Sequence, residues 1–106
     1  MKKIAVLGAG SWGTALAGLL GNKGYSVCLW GRPEDGVLDI EKTRENRRFL
    51  PGVFLPETVS MTTDMKEAIS GAWLVVISVP SQAVREVTLK LKPWLGPRTV
   101  IVNTAK

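Results

Sequence analysis

Short apolar runs alternate with helical patterns along this chain. Ile4–Leu7 is a continuous β-favouring run, which predicts a strand buried on both faces of a parallel sheet. Ser26–Trp30 and Trp73–Val79 are of the same kind, Thr99–Asn103 predicts a last buried strand, and Val59–Thr62 predicts a short one. The pattern therefore predicts five strands separated by other elements.

Helical spacing begins at Gly13, and Gly24 is predicted to end this first helix. Leucines form one stripe of the helix, and small residues that permit close packing form another. The two rows are Leu16, Leu19, Leu20 and Gly13, Ala17, Gly21. Strand, helix and strand up to Trp30 form a βαβ unit with a right-handed crossover.

The middle of the chain has weaker patterns. Val37 to Phe49 is charged and loosely amphipathic, which predicts a solvated helix, and the prolines and glycine of residues 50–56 predict an irregular loop. Asp64 is predicted to cap a short helix that ends at Ile69.

The last helix is predicted to begin near Ser81, because Pro80 ends the preceding strand. It turns Val84, Val87 and Leu91 inward, and the prolines and glycine of residues 93–97 end it. Alternating strands and helices predict an α/β fold with a doubly wound, mostly parallel sheet. The chain stops at Lys106 without a closing helix, so we expect one domain, truncated after its fifth strand.

Composition narrows the function classes. The 106 residues suit one domain, and 45% hydrophobic residues can supply a core. The net charge of +5 favours an anionic partner. A single cysteine, Cys28, excludes an internal disulfide, and the lack of histidine excludes His-based triads and His metal sites. Cys28 lies in an apolar strand and is expected in the core.

The N-terminus could be mistaken for a secretory signal, because lysines precede an apolar stretch. Gly8, Gly10 and Gly13 would interrupt the helix that such a signal needs. The longest later apolar run, Ala72 to Val79, is far shorter than the ~20 residues of a membrane-spanning helix. We therefore expect a cytoplasmic protein with no membrane insertion.

A glycine motif stands between the first strand and the first helix. Gly8–Gly13 reads Gly-Ala-Gly-Ser-Trp-Gly and matches G-x-G-x-x-G. Gly8 would allow the tight turn, Gly10 the approach of a pyrophosphate, and Gly13 close packing of helix on strand. A plain glycine turn is the alternative, but the βαβ context favours dinucleotide binding and a Rossmann fold. A P-loop is excluded, since its Gly-Lys-Ser/Thr is missing.

The end of the second strand bears on the choice of dinucleotide. A carboxylate there typically binds the ribose of NAD, but Trp30-Gly31-Arg32 occupies the position. Arg32 can pair with a 2′-phosphate, which favours NADP(H). Glu34 and Asp35 lie beyond Pro33, displaced from that position, and leave NAD(H) use open through a different loop path.

The loops after the later strands should face the same crevice, because ligands bind outside the carboxyl ends of parallel strands. This places Ser78, Pro80 and Lys106 there, with Pro80 expected against the cofactor. Lys106 would stand near the nicotinamide, where a cation can bind a phosphorylated substrate or polarise a carbonyl. A disordered terminal lysine is the alternative. Trp12 either covers a cofactor face or packs.

The whole chain resembles the N-terminal part of bacterial NAD(P)-dependent glycerol-3-phosphate dehydrogenases. Several blocks, in order along the chain, carry the resemblance. They are Lys3–Ala17, Leu29–Arg32, Asn46–Gly52 with Leu55-Pro56, Thr63-Asp64 with Ala68-Ile69, Val79–Gln82 with Arg85–Val87, and Thr104–Lys106. The family often has Ala-Thr-Lys-Gly at the last block, so Asn103-Thr104-Ala105-Lys106 departs slightly while keeping the lysine.

The resemblance implies reduction of dihydroxyacetone phosphate, a phosphorylated triose, to sn-glycerol 3-phosphate for phospholipid synthesis. It also implies that Ser11, Trp12 and Arg32 bind the cofactor, and that Lys106 contacts cofactor and substrate. In this family the catalytic lysine and most of the substrate site belong to a C-terminal helical domain that these residues lack. This piece alone is therefore expected to be inactive, and the resemblance allows a homodimer of the full-length protein.

Other functions remain open at this point. Enzymes similar to 6-phosphogluconate dehydrogenase or ketopantoate reductase share the glycine loop. A stand-alone NAD(H)-sensing module would account for the short chain. Nucleic-acid binding is disfavoured, because basic residues are scattered among acidic ones and the tryptophans form no shared exposed platform.

Overall fold

The computed structural model describes residues 2–104, which form alternating strands and helices. The strands are β1 Lys3–Leu7, β2 Ser26–Trp30, β3 Glu45–Asn46, β4 Leu50–Phe54, β5 Val59–Thr62, β6 Ala72–Ile77 and β7 Val100–Asn103. The helices are α1 Ser11–Asn22, α2 Val37–Thr43, α3 Met65–Ile69 and α4 Val84–Leu91. Short 3₁₀ turns cover Pro33–Asp35, Ser81–Ala83 and Lys92–Trp94.

Five strands form one parallel sheet in the order β5-β2-β1-β6-β7. β2, the next strand along the chain, lies on one side of β1, and β6 lies on the other side. The direction of winding therefore reverses between β1 and β6. In open α/β sheets this reversal leaves a crevice at the carboxyl ends of the two strands. The predicted doubly wound α/β fold is confirmed.

Apolar layers cover both faces of the sheet. In β1, Ile4 and Val6 pack into one cluster with α1 and α2, while Ala5 and Leu7 pack into the other with α3 and α4. β1 is therefore buried on both faces from Ile4 onward, as its continuous apolar run predicts. Cys28 is buried in the second cluster and is therefore a core residue, as predicted. This burial raises the pKa of its thiol.

Helix α1 faces the sheet with its small residues. A Cβ added to Gly21 would lie 2.6 Å from Val59 Cγ2 and 2.8 Å from Thr58 Oγ1, so only glycine leaves the helix this close to β5. Within the leucine row, Leu19 is 54% exposed, whereas Leu16 and Leu20 are partly buried against the cluster that contains Ile4 and Val6. Gly24, with φ at +95°, follows the helix as the predicted C-terminal stop.

The segment from residue 37 to 54 differs from the prediction. Helix α2 ends at Thr43 because Arg44 adopts left-handed backbone angles, with φ at 64°. The Arg44 guanidinium donates hydrogen bonds to the carbonyl oxygens of Pro56 and Val59, which ties this reversal to β5. The predictions of a long helix to Phe49 and of an irregular loop after it are therefore wrong. In their place, β3 and β4 form an antiparallel hairpin.

The C-terminal half follows its pattern more closely. The Asp64 carboxylate accepts hydrogen bonds from the backbone N–H of Lys66 and Glu67, which confirms the predicted cap of α3. The predicted inward side of α4 holds for Val87 and Leu91, which are buried.

The last strand is not buried as predicted. All four residues of β7 are exposed, whereas β5, at the other edge of the sheet, is mostly buried. The difference is in the covering layers, since β5 contributes to an apolar cluster and no described residue of β7 belongs to either one. No described helix is long and apolar enough to span a membrane.

Asn46 holds the hairpin against the start of α1. Its side chain is buried, and its Nδ2 donates to Ala9 O at 2.9 Å and to Thr14 Oγ1 at 2.8 Å. Its Oδ1 accepts the backbone N–H of Phe49 at 3.2 Å. One amide group thus joins the glycine loop, the first helix and the turn of the hairpin.

Replacing Asn46 by alanine should lower the free energy of unfolding by about 2 kcal/mol, because buried polar groups lose their partner. Urea unfolding followed by circular dichroism measures this loss. Asn22→Ala, at an exposed position where α1 ends, should cost less than about 0.5 kcal/mol. Equal costs for the two variants would contradict the structural role of Asn46.

Candidate functional site

A crevice of about 990 Å³ opens at the carboxyl ends of β1 and β6. Its size falls in the range of small-molecule and cofactor sites. It is lined by Gly8, Ala9, Gly10, Ser11, Trp12, Trp30, Arg32, Asp35, Phe49, Met65, Ser78, Val79, Pro80, Ser81, Gln82, Ala83, Glu86, Val87, Lys90 and Thr104. With the exception of Gly13, which lies beneath the loop, and Lys106, which lies outside the described residues, this set includes every site residue predicted from the sequence.

The glycine loop depends on close backbone contacts. Gly8 has φ at +125°, and a Cβ there would lie 2.8 Å from the carbonyl carbon and oxygen of Ser78. A Cβ on Gly13 would overlap the carbonyl oxygen of Gly8. Gly8 N–H also donates to Trp30 O at 2.8 Å. The turn after β1 is therefore fixed between β2 and β6, with α1 directly against it.

Gly10 stands apart from the other two glycines of the motif. It is the N-cap of α1, and no atom lies within 4 Å of a Cβ built on it, within the part of the chain that the structure describes. No described side chain caps the helix, whose first N–H groups have no intrahelical acceptor. Open space above donor groups and the positive end of a helix dipole suit an anion such as a pyrophosphate.

Aromatic side chains stand at the rim of the crevice. Trp12, which follows Gly10 in the first turn of α1, is 57% exposed, so it does not pack into the core. Phe49 reaches the crevice from the hairpin, and the Arg48 guanidinium lies 4.8 Å from the centre of its ring. The sequence does not indicate Phe49 as a site residue, because its segment has the pattern of a charged, solvated helix.

Arg32 and Asp35 form an ion pair at the end of β2. Arg32 Nη2 lies 3.1 Å from Asp35 Oδ1, and Arg32 Nε and backbone N lie 3.3 and 2.9 Å from Oδ2. Partial burial acts to raise the pKa of Asp35, but the hydrogen bonds and charge of Arg32 outweigh it and hold that pKa below its ordinary value. The Asp35 carboxylate, which lies beyond Pro33 in the sequence, is therefore held close to the end of β2.

The opposite wall follows β6. Ser78 Oγ donates to Leu7 O at 3.2 Å, which fixes the end of β6 to the end of β1, and Pro80 then begins the turn into α4. Thr104 returns to the crevice after β7, with its N–H and hydroxyl both donating to Ile77 O. Lys106, which is predicted to contact cofactor and substrate, lies outside the described residues.

Asn46 supports the site from outside the crevice lining. Its hydrogen bond to Ala9 O supports the glycine loop from behind. A buried amide within a run of charged residues carries no periodic signal, so only the resemblance, whose Asn46–Gly52 block contains it, indicates this residue.

Comparison with known proteins gives the same family along the whole chain. The family model of the NAD-dependent glycerol-3-phosphate dehydrogenase N-terminus matches residues 3–106. A glycerol-3-phosphate dehydrogenase [NAD(P)+] of Syntrophomonas wolfei is 55% identical over 106 residues, which are 100% of this chain and 31% of that protein. The chain thus spans about a third of the length of this relative.

A solved structure agrees with the sequence matches. The crystal structure of glycerol-3-phosphate dehydrogenase from Coxiella burnetii superimposes with a TM-score of 0.94 at 41% identity, covering 99% of this chain and 32% of that one. The relative from Moorella thermoacetica, of the same name as that of S. wolfei, is 54% identical over 99% of this chain and 31% of its own length. The chain belongs to the family of NAD-dependent glycerol-3-phosphate dehydrogenases, and it corresponds to their N-terminal part.

Proposed function

We propose that the crevice binds NAD(P)(H), with the pyrophosphate above Gly10. The observation that carries this proposal is the open space at Gly10 over uncapped helix donors, where Gly8 and Gly13 allow no side chain. A phosphate there accepts hydrogen bonds from the first N–H groups of α1, including that of Ser11. The dinucleotide, when bound, supplies the hydride of the reaction.

The remaining cofactor contacts come from both walls. Trp12 stands exposed at the rim, where its ring can cover part of the dinucleotide, and Phe49 offers a second aromatic face. Pro80 closes the wall that begins at Ser78. We assign Gly8, Gly10, Ser11, Trp12, Gly13, Arg32, Pro80 and Lys106 to cofactor binding.

We further propose a preference for NADPH over NADH. The Arg32 guanidinium lines the crevice and is 61% exposed, so its free N–H groups can meet a 2′-phosphate. A charged donor of this kind gains more from a phosphate than from a hydroxyl group, and NADH remains a second cofactor.

For the whole protein, we propose the reversible reduction of dihydroxyacetone phosphate to sn-glycerol 3-phosphate. The names of the relatives support this reaction. Lys106 is assigned to the substrate as well as the cofactor, because a cation there can bind the phosphate or polarise the carbonyl that receives the hydride. We place the reaction in the cytoplasm, where a free thiol such as that of Cys28 stays reduced.

Two glycine variants should separate folding from binding. Gly13→Ala should destabilise the fold by about 3 kcal/mol, because its Cβ meets backbone atoms that cannot move aside. Gly10→Ala should change stability by less than about 1 kcal/mol but weaken NADPH binding about tenfold, because its Cβ occupies the space of the pyrophosphate. Urea unfolding and calorimetric titration measure the two effects. Unchanged NADPH affinity in Gly10→Ala would contradict this placement of the pyrophosphate.

Arg32→Gln tests the cofactor preference. Its dissociation constant for NADPH should rise about tenfold, since a charge-assisted hydrogen bond to the 2′-phosphate is lost, while that for NADH should change less than about threefold. Arg98→Gln is the matched control, because it removes the same charge at the opposite end of the sheet, just before β7. An equal loss for both cofactors in Arg32→Gln would argue against contact with the 2′-phosphate.

A chimaera tests the reaction itself. Residues 1–106 would replace the corresponding first third of the Syntrophomonas wolfei relative, and oxidation of NADPH would be followed by absorbance. We expect activity with dihydroxyacetone phosphate that falls about 100-fold in Lys106→Ala but not in Lys92→Ala, an exposed control. A chimaera that binds NADPH but reduces no phosphorylated triose would favour the sensing module instead.

A further inference from the structure

The end of β2 holds Arg32 at a fixed place beside the glycine loop. Gly31 N–H donates to Thr62 O at 3.2 Å, and a Cβ on Gly31 would overlap Val37 and lie 2.9 Å from Ala9 Cβ. The backbone at Gly31 is therefore confined between the glycine loop and α2. Arg32, the next residue, enters the crevice from a position that cannot shift without moving one of them.

The turn after Arg32 brings a carboxylate back to the same place. Pro33–Asp35 forms one 3₁₀ turn, in which Asp35 N–H donates to Arg32 O at 2.9 Å. The Asp35 side chain then accepts the backbone N–H of Arg32, so its position depends on the turn as well as on the ion pair. Asp35 is 18% exposed by side chain, whereas Glu34 is 67% exposed.

The two oxygens of Asp35 are used unequally. Oδ2 accepts two hydrogen bonds, from the Arg32 backbone N and Nε. Oδ1 accepts one, from Arg32 Nη2, among the hydrogen bonds of the described residues. A carboxylate oxygen can accept two, so Oδ1 keeps the capacity for a further donor, and Asp35 is one of the residues that line the crevice.

This arrangement has opposite consequences for the two dinucleotides. The ribose 2′-hydroxyl of NAD is a donor that a carboxylate at the end of the second strand accepts. The 2′-phosphate of NADP is an anion that the same carboxylate repels. It would also find the Arg32 charge already balanced by Asp35.

We propose that Asp35 is a specificity-determining residue, whose carboxylate accepts the 2′-hydroxyl of NAD(H) and opposes the 2′-phosphate of NADP(H), so that it limits the NADPH preference that Arg32 confers. The inference rests on the proposed function, since it assumes that the adenosine ribose lies beside Arg32. Arg32 and Asp35 together then let one site accept both cofactors.

The test is the ratio of the dissociation constants for NADH and NADPH, measured by calorimetry on the full chain. Asp35→Asn removes the charge but keeps an oxygen that can accept the Arg32 N–H, so the turn is retained. We expect the ratio to shift about tenfold towards NADPH, because NADPH binds more tightly and NADH more weakly. Asp35→Ser provides a second variant with a hydroxyl acceptor, should Asp35→Asn lack the circular dichroism spectrum of the folded chain.

Glu34→Gln is the matched control, because it removes the same charge one residue earlier, where the carboxylate lies 4.0 Å from Arg32 Nη1. Its ratio should stay within about twofold of the wild type, since exposed charges are screened. An equal shift of the ratio in Glu34→Gln would overturn the inference, because it would show a general effect of negative charge and no specific role of Asp35.

Two further outcomes distinguish a failure of this inference from a failure of the proposed function. A loss of affinity for both cofactors in the Asp35 variants, with the ratio unchanged, would make Asp35 a structural residue only and overturn the inference while the proposed function stands. A wild-type chain that is folded and binds neither cofactor would overturn the proposed function and this inference with it.

Discussion

The close contact between the turn after β1 and the end of β6 is the constraint on which the rest of the crevice depends. Gly8 lies against the backbone of Ser78, and Gly13 lies against Gly8, so strand, turn and helix meet without side chains between them. This contact aims the start of α1 at the reversal point of the sheet. A larger residue at either glycine would push the helix away, and the donors of its first turn would no longer face the crevice.

The contact is supported from both sides by polar groups whose partners are backbone atoms. Ser78 Oγ donates to Leu7 O on one side, and Asn46 Nδ2 donates to Ala9 O on the other. Such bonds tolerate no change of register, because buried carbonyl groups that lose a donor are costly. The hairpin that carries Asn46 is anchored in turn by Arg44, which donates to the carbonyl groups of Pro56, before β5, and of Val59, its first residue. A surface segment thus becomes part of the support for the loop.

The sequence predicts the parts of this arrangement that are local. Short apolar runs identify the strands of the parallel sheet, the glycine spacing identifies the loop, and Asp64 marks the start of α3. What it does not predict depends on partners distant in the chain. The end of α2 is set by Arg44, whose left-handed angles are compensated by contacts with residues 56 and 59. The exposure of β7 follows from the lack of β7 residues in either apolar cluster of the described chain, and an apolar run has the same pattern whether or not other elements cover it.

Asp35 shows why a position in the sequence is an incomplete guide to a site. The expected place for an acidic residue is the end of β2, and the chain has Arg32 there instead. A single 3₁₀ turn returns the carboxylate across three residues, and Asp35 Oδ2 accepts the backbone N–H of Arg32, two residues after the end of β2. The acidic and the basic functions at this position are therefore not alternatives. They occupy the same corner of the crevice, and under the cofactor binding proposed above the balance between their charges, rather than the presence of either one, would determine which ribose substituent the corner accepts.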